Sequence, residues 1–323
     1  DEISNIRNTY SKSISVYENL LDLKDKSKDT NKLDIQFAES IKLLSQRNYS
    51  SAEAKLNSID KQIKDEHAKI AAAFKIPENI PVKNSPPSTG SNTSTGTGTQ
   101  KVETPVGTFM ANIITGDLNN VKVVVDTASD SDCPRDCPIL SVAEFAIRSN
   151  AIAAMNGPYS CPGEYPSCAD KKYSFDTLMM NKNKVYFNSD NNIYSIVPAV
   201  IFSGNSARFV TKSLEWGRDT SVDAVIAAQP LLVLNGEIVY ANDTESKRLI
   251  KSTRNFIGVT NNTVYFGVVH NVTTAEMAHT IKALGIQNAL NLDGGGSINF
   301  WSNGRYLIGP ARRLPFAILM VKR

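Results

Sequence analysis

Asp293 stands at the end of an apolar run, "NALNL", and is followed by Gly294, Gly295, Gly296 and Ser297. The run reads as a buried strand, so the carboxylate emerges where that strand ends. Three consecutive glycines open backbone conformations closed to other residues and let a ligand approach the main chain. Their exposed amides suit an anion. A bare turn is the competing reading, and the local pattern alone does not choose between the two. Other side chains able to do chemistry lie nearby in sequence. His270 closes the run "VYFGVVH", as a site residue or as a satisfied strand-end histidine. Glu276 lies three residues after Thr273, the spacing of a capping box, and that role is preferred to catalysis. Both are carried as substrate-binding candidates. His279, one helical turn beyond Ala275, reads as packing or surface. Asn156 bonds a ligand hydroxyl or simply fixes the Asn156-Gly157 turn. Asp126 and Asp223 begin or end strands and are candidates for a second carboxylate, although turn roles are commoner for such residues.

The four cysteines form two close pairs in Pro-rich loop sequence, Cys133 with Cys137 in "DCPRDCP" and Cys161 with Cys168 in "SCPGEYPSCA". Structural zinc sites favour tighter spacings and a neighbouring His, which neither pair has. Two local disulfides are the preferred reading, and they imply an oxidising, extracytoplasmic setting, secreted or at the cell surface. No ligand cluster of clear spacing appears, so no metal and no cofactor is expected.

Composition narrows the partners. The chain has 323 residues, 41% of them hydrophobic, enough for a sizeable core. Its 35 Lys and Arg nearly balance 32 Asp and Glu, for a net charge of +3, and no dense basic block disturbs the mixture. Nucleic acid is therefore not the expected partner. No run of about 18 apolar residues appears that would cross a membrane as a helix. The chain begins with Asp1 rather than Met, which leaves room for a signal or anchor ahead of it.

Three regions must position these residues. Residues 1–74 carry helical stripes: Ile3, Ile6, Tyr10, Ile14, Tyr17 and Leu21, then Phe37, Ile41 and Leu44, then Ala52, Leu56, Ile59, Ile63 and Ile70. Ser50 with Glu53 reads as the capping box of the last helix. One stretch resembles a single tetratricopeptide helix pair, but one copy is weak, and a spacer or self-association unit is preferred. Residues 75–100 are rich in Pro, Ser, Thr and Gly and read as a flexible linker. Residues 101–323 carry mostly strand signals, including "VKVVVD", "AIAAMN", "PAVIFS" and "NTVYFGVVH". Helices are expected around Ser141–Arg148 and over Thr274–Leu284, and Asn-Gly in "LVLNGEIVY" predicts a hairpin. The fold class is α+β: a mixed or antiparallel sheet domain with few helices, preceded by a small all-α unit.

The segments "NLDGGGS", "AAMNGPYS", "STRNFIGV" and "TTAEMAHTIKALGIQNAL" together resemble the phosphodiester glycosidase family, over roughly Val106 to Val321. The resemblance makes Asp293 the catalytic carboxylate and puts Asn156 and Gly157 in the family's early Asn-Gly motif. Arg254 falls on its central arginine, where it would hold a phosphate through its planar fork or instead pair with a structural carboxylate. Gly294, Gly295, Gly296 and Ser297 would hold a phosphate or sugar oxygen. Two departures bear on substrate identity: Gly157-Pro158-Tyr159 replaces the usual Asn-Gly-Gly continuation, and Asn255 follows Arg254 where the family usually has Thr. The resemblance implies hydrolysis of a glycosyl phosphodiester or related surface glycan. An ordinary glycoside hydrolase of the same fold and a silent glycan-binding module on a helical stalk are the alternatives.

Overall fold

A computed structural model describes residues 2–27, 29–89, 95–189, 195–240, 242 and 245–323. The chain divides into two compact units, one of Asp1–Lys75 with Gly163–Ala169 and the other of Ile76–Pro162 with Asp170–Arg323.

The first unit holds the helices Glu2–Lys24, Asn31–Ser45 and Tyr49–Ala73. The last buries Ala52, Leu56, Ile59 and Ile63, the stripe expected of it, while Ile70 is exposed. The first helix presents a different face from the expected one. Val16, Leu20 and Leu23 are buried with Thr9 and Ser13, while Ile3, Tyr10 and Ile14 are exposed. The cluster of Leu20, Leu23, Leu33, Leu56, Ile59 and Ile63 accounts for the rotation, because the bulky residues late in the helix set which side turns inward. Asn48, whose side chain accepts from Ser51 N, caps the third helix in place of the Ser50–Glu53 box.

The second unit is mixed α and β. Among its described residues the strands form one seven-stranded and two five-stranded sheets. Every pairing within them is antiparallel. In the seven-stranded sheet Thr95–Thr104 is the edge, followed by Gly107–Asp117, Thr263–Val272, Ser252–Thr260, Asn288–Asn291, Leu231–Leu234 and Glu237–Ile238. Leu231–Leu234 and Glu237–Ile238 make the expected hairpin, with Asn235 and Gly236 both at positive φ. In one five-stranded sheet Phe316–Lys322 lies between Val121–Thr127 and Ala151–Met155. A single core of residues such as Ile257, Phe266, Leu290, Phe300, Ile318, Met179 and Phe202 draws on all three sheets. The helix Thr274–Ala283 packs through Met277, Ala278 and Ile281 on the other face of the large sheet. The helix Val142–Arg148, capped by Ser141, packs through Phe145 and Ala146 against Leu319 and Ala154.

The expected linker is structured at both of its described ends. Residues 95–100 open a strand whose ten residues all pair with Gly107–Asp117. Ahead of it, Gln100 donates to the carbonyls of Lys83 and Ser85, and Thr115 Oγ1 donates to Pro87 O. Low apolar content misleads here because an edge strand of Thr and Gly is held by its ladder rather than by burial. Residues 90–94 lie outside the described residues.

Candidate active site

Asp293 follows the strand Asn288–Asn291, as the sequence requires. Its main chain is clasped twice: Asp293 N donates to Gly157 O at 3.1 Å, and Asn156 Nδ2 donates to Asp293 O at 2.7 Å. The early Asn-Gly pair and the late Asp-Gly turn are therefore brought together. Both ends of the Asn156 amide are fixed by the main chain, since Asn156 Oδ1 accepts from Asn299 N at 3.1 Å. Asn255 Nδ2 donates to that same oxygen at 2.9 Å, and Leu292 N donates to Asn255 O at 3.0 Å. With Asn156 so oriented, the donor end of Asn255 must face it. Asn255 Oδ1 is left buried, with no donor among the described residues.

The glycines shape the turn that follows. Gly295–Ser297 is one 3₁₀ turn, with Ser297 N donating to Gly294 O. Gly294 lies so close to the neighbouring strand that a Cβ would sit 3.2 Å from Thr253 O. Gly295 has φ +60° with open space about it, so its backbone, not its surroundings, requires glycine. Gly296 O accepts from Arg312 N at 3.4 Å. The buried Asn299 ties the same two segments: Nδ2 donates to Ser297 O and Arg312 O, and Oδ1 accepts from Ala311 N. Asn255, Asn299 and the backbone of Arg312, which hold this turn, were not legible as its supports. The available signals were a buried amide inside the strand "RNFIGV" and the Gly-Pro turn ahead of "ARRLPF".

Arg254 lies against the turn through both its Cα and its Cγ, beside Gly294. Two nitrogens of the guanidinium offered above to a phosphate are held by main-chain carbonyls. Nε donates to Val272 O at 3.0 Å, and Nη2 to the carbonyls of Lys247, Ile250 and Arg248 at 2.8, 2.8 and 3.1 Å. The short helix Ser246–Leu249 ends beside Arg254, and the carbonyls of its last turn are natural acceptors for a buried cation.

The remaining candidates have other partners. Glu276 closes the capping box with Thr273 and pairs with Lys251 at 2.8 Å. His270 Nε2 lies 2.7 Å from Asn112 Oδ1, whose own Nδ2 donates to Thr99 Oγ1, so Nε2 carries the hydrogen. Burial lowers the His270 pKa to about 4, which keeps the ring neutral near pH 7. Asp126 is buried between Arg148, Ser149 and Lys182. Burial raises its pKa, but these hydrogen bonds outweigh that and hold it below the ordinary carboxylate range. Asp223 accepts from Gly204 N and faces Arg323. Cys133 and Cys137 form a disulfide, and Cys161 and Cys168 are also disulfide-bonded. Among the described residues no group of three or more His, Cys, Asp and Glu is placed to hold a metal.

The architecture is shared with solved structures. The catalytic domain of zebrafish N-acetylglucosamine-1-phosphodiester alpha-N-acetylglucosaminidase, auto-inhibited by its pro-peptide, superposes with a TM-score of 0.55 at 16% identity. The match covers 73% of this chain and 87% of that one. A hypothetical protein from Synechocystis gives a TM-score of 0.50 at 14% identity, covering 71% of this chain and 62% of the other. The chain thus spans less than two thirds of that protein's length. Identities this low speak to fold alone. No curated protein matches the sequence. The sequence model of the phosphodiester glycosidases matches residues 149–321, the stretch that runs from just before the Asn156 motif through the Asp293 turn to the central C-terminal strand. By that match the chain belongs to the phosphodiester glycosidase family.

Proposed function

We propose that the second unit hydrolyses a glycosyl phosphodiester or a related surface glycan outside the cytoplasm, with Asp293 as its catalytic carboxylate. The supporting observation is the double clasp on the Asp293 main chain by Gly157 and Asn156, with a glycine turn directly after it. A carboxylate whose backbone is fixed from two sides keeps its position as charge develops beside it, which is what electrostatic stabilisation requires. In the reaction, water adds to the anomeric carbon, the bond to the phosphate oxygen breaks, and free sugar and a phosphomonoester result. A phosphate leaving group is a weak base and needs less protonation than an alcohol, so one carboxylate can suffice. Asp293 would attack the carbon, activate the water, or stabilise the oxocarbenium-like state. Asn156, Ser297 and the glycine amides would hold substrate oxygens. The Cys133–Cys137 disulfide supports an oxidising compartment. The helical unit serves as a spacer.

An ordinary glycosidase gains weight from the engagement of Arg254 Nε and Nη2 with carbonyls, which leaves fewer of its donors for a phosphate. Turnover of a chromogenic glycosyl phosphodiester, set against the matching aryl glycoside, separates the two activities. Asp293→Asn keeps shape and removes charge, and should lower turnover at least about a thousandfold without unfolding the protein. Full activity in that variant would reduce the triple glycine to a structural turn.

A further inference from the structure

We propose that Asn255 is a positioning residue for the hydrolysis, fixing the Asn156 amide that holds the Asp293 main chain, an inference that rests on Asp293 being the catalytic carboxylate. Asn255 is 0% exposed, so no substrate touches it. Its backbone has a structural task, because its carbonyl accepts from the N–H of Leu292, the last residue before Asp293. The side chain has a separate one. Nδ2 donates to Asn156 Oδ1 at 2.9 Å, and Asn156 Nδ2 donates in turn to Asp293 O at 2.7 Å. Two side-chain amides in series thus connect the strand Ser252–Thr260 to the backbone of the carboxylate.

The other end of the amide shows what the side chain is for. Asn255 Oδ1 is buried with no donor among the described residues, and a buried carbonyl oxygen in that state destabilises a fold. Its surroundings on that face of the sheet are apolar: Ile257, two residues along the strand, and Val268, directly opposite, both belong to the main core. An apolar side chain would suit the position on grounds of stability. Nor does the fold depend on the Nδ2 donor, because Asn156 Oδ1 also accepts from Asn299 N at 3.1 Å. The amide is therefore retained, against stability, for the one bond it makes. That bond fills the second lone pair of Asn156 Oδ1, holds the amide plane from two sides, and polarises the group so that its Nδ2 binds Asp293 O more strongly. Turnover is sensitive to small displacements of a reacting group, so a firmer hold on the Asp293 backbone acts on kcat.

The test uses the full chain with Asn255→Leu, close to Asn in size, and Asn255→Val, which is smaller and suits a strand. Asn299→Leu is the structural control, since it leaves Ala311 N without its acceptor and removes the bonds to Ser297 O and Arg312 O. Thermal melting is measured beside steady-state hydrolysis of the chromogenic glycosyl phosphodiester and the matching aryl glycoside. Both Asn255 variants should melt within about 4 °C of wild type or above it, whereas Asn299→Leu should melt well below. On whichever substrate is turned over, kcat should fall roughly 10- to 100-fold in the Asn255 variants, with KM changed less than about threefold. Wild-type kcat in a folded Asn255 variant overturns the inference. So does a loss of Tm as large as that of Asn299→Leu, which would make Asn255 a residue of the fold alone. Asp293→Asn is assayed alongside: full activity there overturns the reading of Asp293, whereas its inactivity beside fully active Asn255 variants overturns the Asn255 inference alone. If the wild type turns over neither substrate, the functional reading falls and melting still judges Asn255. If Asn255→Leu fails to fold, Asn255→Val carries the test with the same criteria.

Discussion

Replacing Arg254 by Met keeps an unbranched stem of similar length and removes the guanidinium. Three hydrogens, one on Nε and two on Nη2, then no longer serve four carbonyls: Val272, Lys247, Arg248 and Ile250. Hydrogen bonds to charged groups contribute about 1.5–3 kcal/mol each. Shared hydrogens and non-additivity bring the sum down to about 3–5 kcal/mol. For a unit of this size each kcal/mol moves Tm by about 2–4 °C, so Arg254→Met should lower Tm by about 6–20 °C. Arg254→Lys retains charge but points it from a single nitrogen, and should fall between. Thermal unfolding by circular dichroism measures the shift. Activity on phosphate-linked and phosphate-free substrates should decline together, in step with the folded fraction. An unchanged Tm with a loss confined to phosphate-linked substrates would refute the reasoning and restore the fork as a substrate ligand.

Acid should weaken the protein through its buried histidines. Burial lowers the pKa of His270 from 6.5 to about 4, so between those values the unfolded chain binds a proton that the folded one does not. That stability is complete above pH 6.5 and drains as pH falls toward 4, with up to about 2 kcal/mol gone by pH 5. Urea midpoints at pH 7 and pH 5 measure it, and His270→Gln should flatten the slope. His67 in the helical unit is lowered to about 4 by burial and by Lys26, with Asp22 opposing, and should follow the same course. Cutting the chain back to Lys101 removes the first six residues of the edge strand and the Lys83, Ser85 and Pro87 contacts. A fragment starting at Ile76 should therefore melt higher than one starting at Lys101; equal melting would mean that the edge pairing contributes nothing.

Elements whose burial follows their own periodicity were readable in the sequence. The Thr274 helix, the Asn235–Gly236 hairpin and the strand before Asp293 each carry a local signal strong enough to fix them. The face of the first helix was not readable, because two stripes compete there and only the partner helix selects Val16, Leu20 and Leu23. The first strand escaped notice because its ladder, not its side chains, holds it. At the site, the Asp293 turn was visible because three glycines are unusual. Of the three asparagines beneath it, Asn156 was marked by its Asn-Gly pair, but Asn255 and Asn299 were not, since an amide inside an apolar run declares no partner until chain segments far apart in sequence meet. The direction of the Arg254 side chain likewise depends on Lys247, Arg248, Ile250 and Val272, whose acceptors exist only once the helix ends and the strands have paired.

The strand Phe316–Lys322 is an inner strand of its sheet, hydrogen-bonded on one side to Val121–Thr127 and on the other to Ala151–Met155. Such closures between distant segments are slow, because the entropy of a long loop is lost before the contacts that offset it form. Until it inserts, the strands that will flank it lack the backbone partner they share, and Phe316 has not reached Gly157, against which it packs in the folded protein. Gly157 O is the acceptor for Asp293 N. Regain of hydrolysis during refolding should therefore coincide with the last structural phase, so that partly assembled molecules carry every catalytic side chain and yet remain inert.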